Sequence, residues 1–224
     1  MASKTFSEKT NLIHQGRPQA IPNMGLRTIN QPIYRCSTLA YDSFDQLADW
    51  QERRKTKADV GYGIGGTDAC HTFEDLVAQL ENGYGAVASG SGLAALTIPL
   101  LAMTKAGDHV LLADSTYQPT RLFADQVLSK FGIEVQYYDP LLGSEIEKLI
   151  KPNTSLIHLE SPGSVTFEVQ DVPAIAKVAQ KHGVTTLIDN TWAGGLCFKP
   201  LDHGIDISIP VSYTHLTLPT TSRV

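Results

Sequence analysis

The stretch Val110-Leu111-Leu112-Ala113 is apolar at four consecutive positions, and it decides the fold class of this chain. A strand with one solvent-facing side alternates apolar and polar residues, whereas a strand that is buried on both faces does not. The pair Leu187-Ile188 repeats the pattern further along the chain. Segments with helical periodicity separate these apolar runs. The sequence therefore predicts an α/β fold with a largely parallel sheet.

The predicted elements alternate along the chain. We expect strands at 109–113, 134–138, 155–159, 185–188 and 205–209, and the short apolar run at 86–89 predicts a further strand. We expect helices at 43–53, from 68 to a stop at Gly83, and at 91–103, 119–130, 144–151 and 172–182. The proline-bearing residues 1–60 predict an extended N-terminal arm, and residues 61–209 predict one α/β domain.

Composition excludes several classes of protein. With 224 residues, of which 42% are hydrophobic and 18% charged, the chain can bury a core and is not a disordered protein. A net charge of −5 is the wrong sign for a dedicated nucleic-acid binder. No apolar run reaches the roughly 20 residues that a membrane-spanning helix needs, and residues 1–10 lack an apolar signal core. These features predict a cytoplasmic protein that binds neither nucleic acid nor membrane.

Metal and disulfide chemistry find no support in the sequence. The histidines show no HExxH or HxxxH spacing, so no metal site is predicted. Cys36, Cys70 and Cys197 lie far apart in the chain, and an odd number of cysteines does not close a disulfide framework. We expect three reduced thiols that are buried, as free cysteines in intracellular proteins commonly are.

Two glycine patterns mimic a dinucleotide-binding fingerprint. Gly61-x-Gly63-x-x-Gly66 fits GxGxxG, and Gly83-x-Gly85-x-x-Ala88 fits its looser form. The mechanism of that motif requires a strand before the glycines and a helix that starts on them. The first pattern follows a polar stretch and the second precedes the predicted strand, so neither predicts a nicotinamide site.

Four loops with polar or glycine-rich sequences follow predicted strands. They lie at 89–93, 114–119, 160–166 and 189–193. Ligands of a parallel α/β sheet bind beyond the carboxyl ends of its strands, which meet at one edge. Taken together, the four loops predict a site for a phosphate-bearing, aromatic ligand at that edge.

Each loop taken alone has a plainer explanation. The turn Ser89-Gly90-Ser91-Gly92-Leu93 opens a helix and suits a phosphate, but a simple tight turn accounts for the same residues. Asp189 follows an apolar strand, where a carboxylate is costly unless it is paired, but a solvated or helix-capping aspartate also fits. Tyr117 taken alone is better explained by packing than by binding.

A family resemblance joins these segments. The motifs occur in the order found in the Cys/Met-metabolism family of pyridoxal-phosphate-dependent enzymes of fold type I, which the chain resembles over about residues 8–209. The motifs are Tyr62-Gly63, Ser91-Gly92-Leu93, Tyr117, Glu160-Ser161-Pro162 and Asp189-Asn190-Thr191. The resemblance implies a three-layer sandwich with a mostly parallel sheet, preceded by an extended N-terminal arm.

The resemblance also implies the cofactor, pyridoxal 5'-phosphate, and the residues that bind it. The amides of Gly92 and Leu93 would hold the phosphate, Tyr117 would stack on the ring and serve catalysis, and Asp189 would pair with the ring nitrogen. Tyr62 would reach the phosphate of a neighbouring subunit, which implies a homo-oligomer, a dimer-built tetramer in the family. The implied cofactor-binding set is Tyr62, Ser91, Gly92, Leu93, Tyr117, Ser164, Asp189 and Thr191. Ile64 stands where the family usually has an arginine, a residue with a phosphate-binding fork that isoleucine lacks.

The implied activity is carbon–sulfur cleavage. Residues 161–168, Ser-Pro-Gly-Ser-Val-Thr-Phe-Glu, replace the Ser-Pro-x-Asn-Pro of γ-acting relatives. The resemblance therefore implies a lyase that acts on an amino-acid thioether, L-cystathionine, and gives homocysteine, pyruvate and ammonia. A γ-lyase, a γ-synthase, a sulfhydrylase or a catalytically dead cofactor-binding protein are the alternatives.

The family pattern stops after Ile209. The Schiff-base lysine is expected near Thr214, and the sequence has no lysine after Lys199. Residues 210–224 resemble a foreign tail, and we expect residues 212–224 to make few core contacts. The chain accordingly looks truncated before the lysine, which predicts that it lacks lyase activity as it stands.

Overall fold

Five parallel strands form one sheet in the order β2-β1-β3-β4-β5. The strands are β1 (His109–Ala113), β2 (Glu134–Tyr138), β3 (Thr154–Glu160), β4 (Thr185–Asp189) and β5 (Ile207–Ile209). The central strand β3 pairs with β1 and β4, and every pairing is parallel. The predicted α/β class with a parallel sheet is confirmed.

The computed structural model describes Thr10, His14, residues 25–53 and residues 60–211. The predicted contacts of residues 212–224 therefore lie outside the described residues, as does most of the stretch before Gly25. The chain divides into two compact units, residues 1–88 and 89–224. The first contains the helices α1 (Phe44–Arg53) and α2 (Asp68–Leu80).

The sheet of the second unit is covered on both faces. Its helices are α3 (Gly92–Ala102), α4 (Gln118–Phe123) and α5 (Val172–His182). Alternate strand residues point to opposite faces. Thus Leu112 packs with the α3 side of the sheet, whereas Leu111 packs with the α5 side. Two fully buried apolar layers explain the continuous apolar run in β1, and they confirm the three-layer sandwich.

Some predicted elements have different bounds or geometry. The predicted helix at 119–130 begins as α4, continues as a π-helical turn (Ala124–Leu128) and a 3₁₀ turn (Ser129–Phe131), and ends at Gly132 in the left-handed region. The predicted helix at 144–151 is a 3₁₀ helix (Gly143–Leu149). The strand β5 starts at Ile207, two residues later than predicted. At Asp206 the side chain, and not the backbone carbonyl, accepts hydrogen bonds from the Thr186 amide and hydroxyl, so regular strand pairing begins only after this residue.

The predicted strand at 86–89 is wrong. These residues form no strand, and the Ala88 amide donates to the Glu74 side chain of α2 at 2.9 Å. The glycines of the first dinucleotide-like pattern serve packing within residues 1–88. A Cβ atom on Gly63 would lie 2.0 Å from the Cys36 carbonyl oxygen, and one on Gly61 would lie 1.8 Å from the Trp50 ring.

The expectation of buried cysteines is also wrong, since Cys36, Cys70 and Cys197 are all free and exposed in this chain. Cys70 lies on an exposed position of α2, and the other two lie outside helices and strands. Within the described residues, no helix is both long enough and apolar enough to span a membrane.

Candidate functional site

The amino-terminal end of α3 presents free backbone donors. Ser91 is the N-cap, and its Oγ accepts a hydrogen bond from the Ala94 amide at 3.1 Å. The amides of Gly92 and Leu93 lie in the first turn, where a helix has no internal acceptors for them. The helix dipole adds partial positive charge at this end. The turn predicted to bind phosphate therefore has the geometry of an anion site.

This turn lies at the carboxyl edge of the sheet although no strand precedes it. A Cβ atom on Gly92 would lie 3.0 Å from Val211 Cγ2, so the helix start packs closely against Val211, two residues after the end of β5. The Val211 amide in turn donates to Thr191 Oγ1 at 3.3 Å, in the loop after β4. The contacts bring Gly92 and Thr191 to the same edge.

A buried carboxylate joins the loops that follow β1 and β3. Glu160 is the last residue of β3, and its Oε2 accepts a hydrogen bond from the Tyr117 amide at 2.6 Å. Its Oε1 accepts one from Ser164 Oγ, also at 2.6 Å. The Ser164 amide donates to the Ser115 carbonyl at 2.8 Å. Tyr117 and Ser164 are therefore held beside each other, and Tyr117 as a residue remains 44% exposed, which leaves it accessible to a ligand.

A second buried carboxylate ends β4. Asp189 lies directly opposite Glu160 in the register of β3 and β4, and its Oδ1 accepts a hydrogen bond from the Thr191 amide at 3.0 Å. Burial raises the pKa of Asp189, and hydrogen bonds from Thr191 oppose this increase. Burial raises the pKa of Glu160 to about 7, and the negative charge of Asp189 acts in the same direction.

Neither carboxyl group has a cationic partner among the described residues. In the described part of the chain, no lysine, arginine or histidine forms an ion pair with Asp189 or Glu160. A buried carboxylate without a cation is costly when ionised. A positively charged ligand group would therefore find a favourable position beside Asp189.

The contacts connect most of the predicted site residues. Gly92 and Thr191 meet through Val211, Thr191 holds Asp189, and Asp189 lies beside the carboxylate that binds Tyr117 and Ser164. Ser91 and Leu93 belong to the same helix start as Gly92. Tyr62 belongs to the other unit, residues 1–88, where it is 49% exposed and precedes a 3₁₀ turn that contains the exposed Ile64.

Sequence reasoning missed Glu160 as a site residue, although it quoted the residue as part of a motif. The signal was available, since Glu160 ends an apolar strand in the same way as Asp189 does. It also missed His158, which is fully buried two residues earlier on β3. His158 Nδ1 lies 3.4 Å from Thr116 Oγ1, and burial lowers the pKa of this histidine to about 4.

Comparison with known proteins identifies relatives along nearly the whole chain. The sequence profile of the family described as Cys/Met metabolism PLP-dependent enzyme matches residues 9–216. Cystathionine beta-lyase from Haemophilus influenzae is 39% identical over 94% of this chain and 53% of its own length. Cystathionine beta-lyase MetC from Escherichia coli is 38% identical over 96% of this chain and 54% of its own length. The chain thus spans about half the length of the curated relatives it matches.

A solved structure shares the fold. The crystal structure of cystathionine gamma-lyase from Lactobacillus plantarum, complexed with L-serine, superimposes with a TM-score of 0.77 at 32% identity. The match covers 91% of this chain and 49% of that one.

Proposed function

Since this chain belongs to the Cys/Met metabolism family of pyridoxal-phosphate-dependent enzymes, we propose that it carries the cofactor-binding part of a cystathionine β-lyase. The reaction cleaves L-cystathionine to homocysteine, pyruvate and ammonia. The single observation that carries the proposal is the buried Asp189, which has no cationic partner among the described residues and lies at the same sheet edge as the first-turn amides of α3. The similarity to two bacterial cystathionine beta-lyases over most of the chain supports the choice of reaction.

The residues at this edge fit the charges and shape of pyridoxal phosphate. Its phosphate is a dianion, which suits the amides of Gly92 and Leu93. Its ring nitrogen is a cation when protonated, which suits Asp189 and removes the cost of that buried charge. Its aromatic ring suits the exposed side chain of Tyr117, since aromatic rings prefer offset or edge contacts with one another.

When bound, the cofactor supplies an electron sink for chemistry at the α-carbon of an amino acid. The chain's own residues would keep that sink in place. Asp189 would hold the proton on the ring nitrogen, and the Thr191 amide fixes the orientation of the Asp189 carboxylate through Oδ1. Tyr117 would cover one side of the ring, and Ser91 stabilises the helix end that binds the phosphate.

Covalent attachment of the cofactor is not part of this proposal. The family's lysine is expected near Thr214, and no lysine follows Lys199 in the sequence. That lysine would both carry the cofactor and move the α-proton, and general acid–base assistance alone is worth about 10²–10⁴-fold in rate. We therefore expect this chain to bind the cofactor reversibly and to release no pyruvate.

Assembly into oligomers completes the proposal. The exposed Tyr62 suits a residue that reaches the phosphate in a neighbouring subunit, so we expect a homo-oligomer. Ile64, exposed where the family usually has arginine, offers no charge to that phosphate and is expected to weaken binding.

The proposal can be tested with a ligand that lacks the aldehyde. Pyridoxamine 5'-phosphate forms no Schiff base with surface lysines, so saturable quenching of the combined fluorescence of Trp50 and Trp192 by this ligand reports noncovalent binding. We expect saturable binding that Asp189→Asn weakens by about tenfold or more, the effect of about 1.4 kcal/mol or above. Asp125→Asn, at an exposed position after α4, is the matched control and should bind as the wild type does.

The chemistry is tested with the aldehyde form. After incubation with pyridoxal phosphate, borohydride should trap no single preferred lysine, and L-cystathionine should yield no pyruvate. One trapped lysine together with pyruvate release would contradict the expected loss of activity. Release of 2-oxobutyrate would instead favour γ-cleavage, the reaction named for the Lactobacillus plantarum relative.

A further inference from the structure

Glu160 connects two loops that the proposed function uses separately. It is 3% exposed, and it accepts hydrogen bonds from the Tyr117 amide and from Ser164 Oγ, both at 2.6 Å. These are charge-assisted bonds when the carboxyl group is ionised, and such bonds are about twice as strong as neutral ones. The side chain is thus a bridge between the end of β3, the loop after β1 and its own following loop.

The hydrogen bond to Glu160 and those from α4 together hold the backbone of Tyr117. The Tyr117 carbonyl accepts hydrogen bonds from the amides of Thr120 and Arg121 in the first turn of α4. Its amide is held by Glu160. With both its amide and its carbonyl held, Tyr117 has little backbone freedom, and its backbone conformation restricts the rotamers that its ring can adopt.

Glu160 itself stands on a rigid base. Its carbonyl accepts a hydrogen bond from Gln170 Nε2 at 2.9 Å, and Gln170 Oε1 accepts one from the Tyr138 hydroxyl, also at 2.9 Å. The backbone amide of Gln170 donates to Ser161 Oγ at 3.0 Å. All four residues are buried. Because these hydrogen bonds fix Glu160 relative to the sheet, its carboxylate can fix the position of the Tyr117 loop relative to the sheet.

The neighbourhood of Glu160 also favours a positively charged ligand. Asp189 lies opposite it on β4, and the two carboxyl groups share a buried setting without a cation among the described residues. A cation placed at Asp189 lowers the electrostatic cost of ionised Glu160, which is the form with full acceptor capacity for both of its donors.

We propose that Glu160 is a positioning residue for the cofactor, which acts by holding Tyr117 and Ser164 in the arrangement that receives the ring. This inference rests on the proposed function and adds a residue that binds no part of the ligand itself. It assigns the glutamate of the Glu160-Ser161-Pro162 motif a role in binding beyond folding of the strand end.

The inference is tested by removing one acceptor at a time. Glu160→Gln keeps the shape, but its amide nitrogen cannot accept, so one of the two donors loses its partner. Ser164→Ala removes one donor and leaves the bond to Tyr117. Glu134→Gln, on the exposed end of β2, is the matched control for loss of a glutamate charge. The probe is pyridoxamine 5'-phosphate with the full chain, and thermal unfolding checks each variant.

The expected result has a binding part and a spectroscopic part. Glu160→Gln should weaken binding by about tenfold or more, Ser164→Ala by a smaller factor, and Glu134→Gln should leave binding unchanged. Without ligand, the amide proton resonance of Tyr117 should move upfield in Glu160→Gln, because a bond to a carboxylate is replaced or lost. Glu160→Asp keeps the charge. This variant should recover part of the affinity and should also move the Tyr117 amide proton resonance back toward its wild-type position.

Two outcomes overturn the inference in different ways. If Asp189→Asn weakens binding while Glu160→Gln and Ser164→Ala bind as the wild type does, Glu160 has no positioning role and the proposed function stands. If the wild-type chain shows no saturable binding, the proposed function fails and the inference fails with it. Should Glu160→Gln not fold, Ser164→Ala decides alone, and unchanged affinity in that variant rejects the inference.

Discussion

Glu160 makes the stability of the folded chain depend on pH. Burial raises its pKa from an ordinary value of 4.5 to about 7. The folded state therefore binds this proton more tightly than the unfolded state does, and stability from this group decreases as pH rises from about 4.5 to 7. At one pKa unit per about 1.4 kcal/mol, the full effect is on the order of 3 kcal/mol.

His158 acts in the opposite direction over part of the same range. Burial lowers its pKa from 6.5 to about 4, so the folded state binds this proton less tightly, and stability from this group increases as pH rises from about 4 to 6.5. The two effects partly cancel in the wild type. Only a comparison between variants separates them.

The first prediction is that Glu160→Gln changes the slope of stability with pH. The variant lacks the titrating carboxyl group, so wild-type stability minus variant stability should decrease between about pH 4.5 and 7. Urea unfolding across this range measures both curves. A difference that stays constant with pH would show that Glu160 titrates in the folded protein as it does in the unfolded chain.

A second prediction separates capping from binding. Ser91 caps α3 and Asp171 caps α5, and each accepts a hydrogen bond from an amide three residues ahead, at 3.1 Å. Replacing either by alanine should cost about 0.5–2 kcal/mol in stability. Only Ser91→Ala should also weaken binding of pyridoxamine 5'-phosphate, since its helix starts at the proposed phosphate site. Equal binding by both variants would place the phosphate elsewhere.

The third prediction concerns the turn after β3. A Cβ atom on Gly163 would lie 2.3 Å from Ser115 Oγ and 2.4 Å from Ser115 Cβ, which are impossible contacts. Gly163→Ala should therefore destabilise the protein and weaken ligand binding, because the loops that carry Tyr117 and Ser164 must separate.

A compensating substitution provides the control. Ser115→Gly removes both clashing atoms, so the double variant Gly163→Ala with Ser115→Gly should regain much of the stability, measured by thermal unfolding. Pairing Gly163→Ala with Ser115→Ala should not, because Cβ remains. Equal stability of the two double variants would contradict the packing described here.

Regular elements were predictable where one local pattern decided them. The apolar run of β1 and the i, i+3, i+4 spacing of α2 fixed those elements from sequence, and Gly132 and Gly183 marked helix ends. The run at 86–89 failed because an apolar run forms a strand only if a neighbouring strand accepts its hydrogen bonds, and here Glu74 takes the Ala88 amide. The prediction that Cys36 is buried failed for a similar reason, since burial depends on tertiary packing and not on residue type alone.

The site was predictable to the extent that strand ends define it. The position of Asp189 after an apolar strand and of Gly92 at a helix start could be obtained from sequence because parallel strands end at one edge. The bridge from Glu160 to Tyr117 could not, because it joins residues 43 positions apart and depends on side-chain reach. The π-helical turn at 124–128 was likewise not predicted, since the apolar spacing at 119–130 fits an ordinary α-helix.

A fourth prediction tests the layered architecture of the second unit. Leu156 and Ile157 are adjacent on β3, both fully buried, and they point into different apolar layers. Leu156→Ala and Ile157→Ala should each cost about 2–5 kcal/mol. Ile207→Ala, on the half-buried edge strand β5, should cost clearly less. A small effect at either central position, measured by urea unfolding, would contradict a sheet covered on both faces.

We expect the carboxyl edge of this sheet to bind a phosphorylated pyridine ring. The most direct measurement is the amide spectrum of the isotope-labelled chain, recorded by nuclear magnetic resonance during titration with pyridoxamine 5'-phosphate. We expect saturable shifts for Gly92, Leu93, Tyr117 and Thr191, with little change in α5. Shifts confined to the opposite edge, around Gly183 and Thr185, or no saturable shift at Gly92 and Leu93, would contradict the claim.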